Sequence, residues 1–249
     1  VLDLFKIVRW GAALEDRFVT TRWSAVLAAA RGEEGVEEAL EWLCETYWYP
    51  LYGFVRHRGY DAETARDLTQ SFFVTLLDPK KLQRVDPGRG RFRAYLLASM
   101  KNFLAHETER VGALKRRFEN PAFRADSEGA ERRFLEEPAA GLSPEEMYES
   151  RWARTVLDRA LRRLDEEHAT TGRGELFRQL AGHLTGDEVP YERLAAALGM
   201  TEGAVRVAVH RLRQRLGELL REEVVQTVAA VNDVDDEIRE LLRAVARCP

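Results

Sequence analysis

Cysteine is nearly missing from this chain: Cys44 and Cys248 are the only two in 249 residues, and they form no CxxC pair. That count excludes a disulfide framework and a thiolate metal site, and it fits a reducing compartment. Long apolar runs are missing too, since nothing approaches the roughly 20 residues that a helix needs to span a bilayer. Asp3, Lys6 and Arg9 interrupt the first apolar residues, so no signal-peptide core forms there. The cytoplasm is the expected compartment, with no membrane partner. The familiar catalytic motifs are absent as well: there is no Walker loop, no GxSxG and no HExxH, and His57, His106, His168, His183 and His210 lack ligand spacing. Gly88-Arg89-Gly90 follows no buried strand and reads as a turn rather than a phosphate loop. No enzymatic activity, metal or cofactor is expected.

Strand-type alternation is also scarce, whereas apolar residues recur at helical spacing, which predicts an all-α fold. Hydrophobic residues make up 45% of the chain, enough to build real cores in two small domains. Val36, Ala39, Leu40, Leu43, Cys44 and Tyr47 form one stripe. Pro50 is expected to break or kink that helix before Leu51, Phe54 and Val55 form another, and Gly59 closes the segment. Asp61 is placed to cap a helix running to Leu77 with Ala65, Leu68, Phe72 and Leu76 inward. A loop, Asp86-Pro87-Gly88-Arg89-Gly90-Arg91, precedes a helix from about Phe92 to Arg110, where Phe92, Tyr95 and Leu96 read as core.

Residues 112–142 hold Gly112, Asn120-Pro121, Gly129, Pro138 and Gly141 without sustained periodicity, and predict a linker with at most a short helical piece. Ser143-Pro144-Glu145-Glu146 then supplies a cap, a first-turn proline and two acids for a new helix. Its stripe is Ala153, Val156, Leu157, Ala160, Leu161 and Leu164, followed by a shorter one of Leu176, Phe177, Leu180 and Leu184. The expected division is an extension over 1–19, a helical domain over 20–111, the linker, a second helical domain over 143–222, and a helical tail over 223–249. In the tail, Asn232 or Asp233 caps a helix with Val234, Ile238, Leu241, Leu242 and Val245 on one face, a face that should dock on something.

The net charge of -4 conceals two basic islands: eleven Lys/Arg against three Asp/Glu from Lys80 to Arg117, and four Arg against no acid from Gly203 to Leu216. Local charge decides whether a polyanion binds. The second island lies in a short helix, a glycine turn and a longer basic helix over residues 190–217, which is the pattern of a helix-turn-helix. Gly199 suits the left-handed turn and Thr201 the following cap, and Val205, Val209, Leu212 and Leu216 fall inward. Arg206, His210 and Arg213 are expected outward, with Arg211 and Arg215 flanking. Such a helix fits the major groove, where arginine bonds guanine edges bidentately and neutralises phosphates.

The stretch YERLAAALGMTEGAVRVAVHRLRQRL resembles the fourth conserved region of extracytoplasmic-function sigma factors, in the sigma-70 family. DAETARDLTQSFFVTLL resembles the helix by which such factors grip the clamp helices of the polymerase beta-prime subunit, and FRAYLLASMKNFLAHETER the helix that melts and reads the minus-ten element. The resemblance runs over about residues 20–222. It implies a dissociable subunit that binds core RNA polymerase, through the clamp helices and the beta flap, and promoter DNA. Thr201, Arg206, His210, Arg211, Arg213 and Arg215 would then serve the minus-thirty-five element. Asp86, Arg89 and Arg91 would flank a captured flipped base, Asn102 would bond a base edge, and Lys101, Arg110, Lys115, Arg116 and Arg117 would follow the backbone. Asp67, Gln70, Ser71 and Val74 would face the polymerase.

Tyr95, Ser99 and His106 depart from the residues common in the family, so base preference does not carry over. Relatives often have Glu where this chain has Arg66 and Ser71. With Thr64, Thr69 and Ser71 on or beside that helix, the chain is similar to a branch proposed to be controlled by Ser/Thr kinases. Phosphorylation of Thr69 or Ser71 would restore the acidic contact; helical geometry favours Ser71, because Thr69 borders the buried stripe. A kinase or an anti-sigma factor is thus a candidate partner. Two rival readings stay open: a stand-alone helix-turn-helix regulator, which would bind its operator without polymerase, and an adaptor that sequesters an inhibitor. Asp233, Asp235, Asp236 and Glu237 of the tail are expected to mask Arg211 and Arg215.

Overall fold

The computed structural model describes residues 36–76, 78, 91–109, 127–137, 141–185, 189–228 and 233–247. The apolar stripes resolve there into α-helices alone, and no strand occurs among the described residues, as expected from the missing alternation. The N-terminal half contributes α1 (Val36–His57), α2 (Ala62–Leu76) and α3 (Phe92–Glu109), and α4 (Ser127–Glu136) follows. The C-terminal half contributes α5 (Pro144–Thr170), α6 (Gly174–Leu180), α7 (Gly182–Thr185), α8 (Tyr191–Leu198), α9 (Glu202–Val225) and α10 (Val234–Arg247). None of the described helices is long and apolar enough to cross a membrane. The expected extension over 1–19 and the Asn232 cap lie outside the described residues.

Local chemistry sets the helix ends. The Thr64 amide donates to Asp61 Oδ1 at 2.9 Å, capping α2. Ser143 and Glu146 form a reciprocal capping box at the start of α5, with Pro144 in the first turn. Gly59 has φ 94°, a left-handed conformation that closes the turn after α1. Pro50, however, does not break α1, which runs through it to His57. A proline inside a helix costs about 3 kcal/mol. Tyr47, Trp48, Tyr49, Leu51 and Tyr52 around it are all buried, and that burial outweighs the cost.

The longest helix, α5, is the axis on which α1, α9 and α10 pack. Met147, Tyr148, Ser150, Arg151, Trp152, Ala153, Thr155 and Val156 are all buried, so its first half is covered on every side. At roughly 25 cal/mol per Å², burying about 200 Å² of a tryptophan such as Trp152 contributes on the order of 5 kcal/mol. Three of the trapped polar side chains find partners outside α5. Ser150 Oγ donates to the Ala244 carbonyl at 2.8 Å, Tyr148 Oη to the Arg93 carbonyl at 3.0 Å, and Arg151 Nε to Glu137 at 2.7 Å. One apolar cluster therefore runs from α1 through α5 to α10, and the halves separated by residues 112–142 share an interface.

The short helix expected in the linker forms as α4 and docks on α1. Glu131 accepts from Arg56 Nε at 3.0 Å and Nη2 at 2.8 Å, and from Tyr52. The Arg56 guanidinium also lies 4.6 Å from the Phe134 ring centroid. Glu137, just past α4, accepts from Tyr49 at 2.5 Å. Cys44 is buried, and burial, aided by the nearby Glu45 charge, pushes its thiol up to about 12. A thiol so protonated is a poor nucleophile at neutral pH.

Gly53 of α1 lies against Arg151, where a Cβ would sit 2.6 Å from Cζ and 2.7 Å from Nε. Arg151 is 1% exposed, is held by Glu137 and lies over Phe134, so it has little freedom to retreat. Gly53→Ala should therefore lower stability by about 1–3 kcal/mol in urea unfolding. Gly203→Ala, in the open first turn of α9, should leave the midpoint unchanged or raise it slightly.

Candidate nucleic-acid and polymerase interface

In the C-terminal half the predicted helix, turn and helix are all present. Leu194 and Ala195 anchor α8 to the core, and Gly199 follows with φ 63° and ψ 29°. That left-handed residue lets the Met200 amide bond back to the Ala195 carbonyl at 3.0 Å. Thr201 then caps α9, its Oγ1 accepting from the Ala204 amide at 3.2 Å. Its hydroxyl thus has a structural task at the lip of the exposed face. Val205, Val209, Leu212 and Leu216 are buried as expected, and the buried stripe continues through Leu219, Leu220 and Val224.

The outward residues divide differently from the expectation. Arg206, His210 and Arg211 are exposed. Arg206 pairs with Glu202 one turn back at 2.5 Å and lies 5.5 Å from the Tyr191 ring, contacts that hold the side chain along the outer face. Arg213 instead turns inward, and its Nη2 donates to the His183 carbonyl at 3.0 Å. Arg215 is committed to carboxylates: Nη2 lies 2.7 Å from Glu167 and Nη1 2.8 Å from Glu218. The Arg215 hydrogen bonds hold the Glu167 carboxyl below its ordinary value. Arg213 therefore braces α9 from its inner side, and Arg215 is held along the flank by half-exposed carboxylates. Sequence reasoning missed Val207, which is 51% exposed between Arg206 and His210. An apolar residue in the middle of a basic, otherwise polar surface was the available signal.

The tail acids do not cover Arg211 or Arg215. Asp235 pairs with Arg221 at 2.5 Å, Asp236 with Arg239 at 2.8 Å, and Glu237 reaches across to Arg91 and Arg93. Asp233 is exposed. The apolar face of α10, with Val234, Ile238, Leu241 and Leu242 buried, docks on α5 and α9 and aims the acids away from the outer side of the helix-turn-helix.

In the N-terminal half, α2 presents Asp67 to solvent, with Gln70, Ser71 and Val74 half-buried on the same helix. Arg66 Nε lies 4.0 Å from Asp67. Thr69 is 0% exposed and donates its hydroxyl to the Ala65 carbonyl at 2.7 Å. As folded, it is out of a kinase's reach, because the helix turns it fully inward beside Phe72 and Phe73. Leu68, expected inward, is only half-buried. The Thr64 hydroxyl donates to the capping Asp61 at 2.7 Å.

On α3, Phe92 and Leu96 are buried and Tyr95 stacks on Phe92 at 6.3 Å, in keeping with their reading as core. Asn102 is exposed. Lys101 Nζ lies 2.8 Å from Glu145, and that hydrogen bond holds the Glu145 carboxyl below its ordinary value. Asp86, Arg89 and Arg110, together with Lys115, Arg116 and Arg117, lie outside the described residues. No group of residues suited to hold a metal ion occurs among the described ones.

No curated protein and no solved structure matches the chain. Residues 43–110 match the family model of Sigma-70 region 2, a span that takes in most of α1 and all of α2 and α3, while the helix-turn-helix lies outside it. The segment from α1 to α3 is thus similar to sigma-70 region 2, and the match supports a sigma-70 family RNA polymerase sigma factor.

Proposed function

We propose that the chain is a sigma factor of the extracytoplasmic-function type, acting in the cytoplasm without catalytic chemistry of its own. In this reading residues 20–111 hold the beta-prime clamp helices and open the minus-ten region. Residues 143–222, against the beta flap, read the minus-thirty-five element. The observation that carries it is the region 2 match over 43–110. A helix-turn-helix with an exposed basic face, downstream in the order the reading requires, supports it. Two weak DNA-binding modules become selective once a polymerase fixes their separation, because the second contact then benefits from effective concentration.

Within α9, the exposed Arg206, His210 and Arg211 would meet base edges and phosphates, and the exposed Val207 would pack on a thymine methyl. Arg213 and Arg215 position α9 through His183 and Glu167. On the polymerase side, Ser71 is the better candidate for regulatory phosphorylation, since a phosphate there would add about -1.5 to -2 charges beside Asp67. A kinase that recognises α2 would be the partner in that event, and an anti-sigma factor is the alternative regulator.

Four measurements test the reading. In vitro transcription with reconstituted core polymerase and a promoter library should yield start sites only when the chain is added; silence across the library would defeat the proposal. Arg206→Ala and Arg211→Ala should each weaken holoenzyme binding to duplex promoter DNA by about 1–3 kcal/mol. Arg215→Ala should instead lower thermal stability slightly and leave promoter affinity within about twofold, since its partners are half-exposed carboxylates of the same chain. Finally, Ser71→Glu should tighten binding to core polymerase relative to Ser71→Ala, and equal affinities would remove the phosphorylation proposal.

A further inference from the structure

Three cations at the start and along the flank of α3 are each met by a carboxylate from the C-terminal half. Arg91 Nε lies 2.8 Å from Glu237 Oε2. Arg93 Nε donates to Glu237 Oε1 at 2.6 Å and its Nη2 to Oε2 at 3.1 Å, the two-pronged geometry that arginine also uses on phosphate. Its Nη1 reaches Glu149 at 3.3 Å, and its guanidinium lies 4.7 Å from the Trp152 ring. Lys101 closes the row on Glu145. Arg247, in the last turn of α10, holds the other oxygen of Glu149 at 3.3 Å.

Glu237 is 0% exposed, and Arg93 is buried with it. Burial works against the Arg93 charge, and the bonds to Glu237 outweigh it, holding the guanidinium above its ordinary value. Such a buried pair seldom stabilises a fold more than apolar residues of the same size would, so stability alone explains it poorly; a registry or switching role is its better-attested use. The pair is positioned by α10, whose apolar face and Ser150 to Ala244 bond fasten it to α5. Glu145 and Glu149 sit one turn apart at the start of α5. Together the three acids offer α3 a row of anionic oxygens of the kind a phosphate backbone offers.

We propose that Glu237, Glu149 and Glu145 act as an intramolecular decoy for nucleic acid, occupying the cations of α3 and keeping single-stranded DNA off them until α10 and α5 separate from α3. That α3 is a DNA-facing helix rests on the sigma-factor reading; the masking of its cations rests on the contacts themselves. Release then requires a partner that pulls the two halves apart, which an enzyme gripping α2 while docking the helix-turn-helix elsewhere would do.

The test measures binding of the purified full chain, without polymerase, to a short fluorescein-labelled single-stranded DNA at low salt. Glu237→Gln should tighten binding about fivefold or more, in the range usual for coupled sites, and Glu145→Gln with Glu149→Gln should act in the same direction. The latter pair is half-exposed, so it keeps the test valid if the buried substitution misfolds, as thermal melts would show. Adding Arg91→Ala and Lys101→Ala should abolish the gain. Wild-type affinity in every folded acid variant would overturn the proposal. So would an equal gain from Asp165→Asn with Glu175→Gln, which removes the same charge far from α3. Because polymerase is absent, these outcomes stand apart from the transcription assay, where failure would strike the sigma-factor reading instead.

Discussion

Between Met147 and Val156, α5 buries residues on every side of its circumference, and while Thr155 bonds back to its own helix, Ser150, Tyr148 and Arg151 need partners that only another element can bring. Ser150 calls for the end of α10, Tyr148 for the backbone at the head of α3, and Arg151 for Glu137 beyond α4. Those bonds fix where the tail, the head of α3 and the linker come to rest. An amphipathic helix with one wet face would have left all three loosely specified. Gly53 belongs to the same constraint, since α1 can approach the Arg151 guanidinium only where a side chain is missing.

The same packing sorts the arginines. In an acidic chain with two basic islands, a cation can meet an internal carboxylate or remain outward for an external one, and the protein does both on neighbouring turns of α9. Arg215 meets Glu167 and Glu218, whereas Arg211 stays exposed. Arg206 is intermediate, braced along the surface by Glu202 and Tyr191 without being buried. The outer face of the helix-turn-helix is consequently narrower and more apolar than its composition suggests, with Val207 at its middle.

Features governed by a few adjacent residues were legible in the sequence. The capping box at Ser143, the Thr201 cap and the left-handed Gly199 each depend on chemistry within one turn, and so does the amphipathic face of α10. Features governed by distant partners were not. The aromatics beside Pro50 stand in the sequence, but the distant α5 that buries them and carries α1 through the proline does not, and nothing near Thr69 shows that its hydroxyl will close on the Ala65 carbonyl inside the core. A guanidinium looks the same in a sequence whether it will face a phosphate, a carbonyl or a glutamate, which is why the spacing alone does not turn Arg213 inward to His183 or send Glu237 to Arg91 and Arg93. Arg151 is hidden for a related reason: the apolar stripe of α5 marks one buried face, and the other mixes Ser150, Arg151 and Thr155 with Met147, Tyr148 and Trp152.

The ion pairs between the halves also bear on how the chain responds to its solvent. Added salt weakens a protein's hold on DNA by making counterion release less favourable. It screens the half-exposed contact between Lys101 and Glu145 at the same time, while the sequestered Glu237 is shielded from the ions. On the proposed reading, in which α3 faces DNA, the two effects oppose one another, because ions that discourage a strand also loosen part of its competitor. Apparent affinity should thus change less with ionic strength than the number of phosphate contacts implies, so a shallow salt slope would undercount the cations engaged.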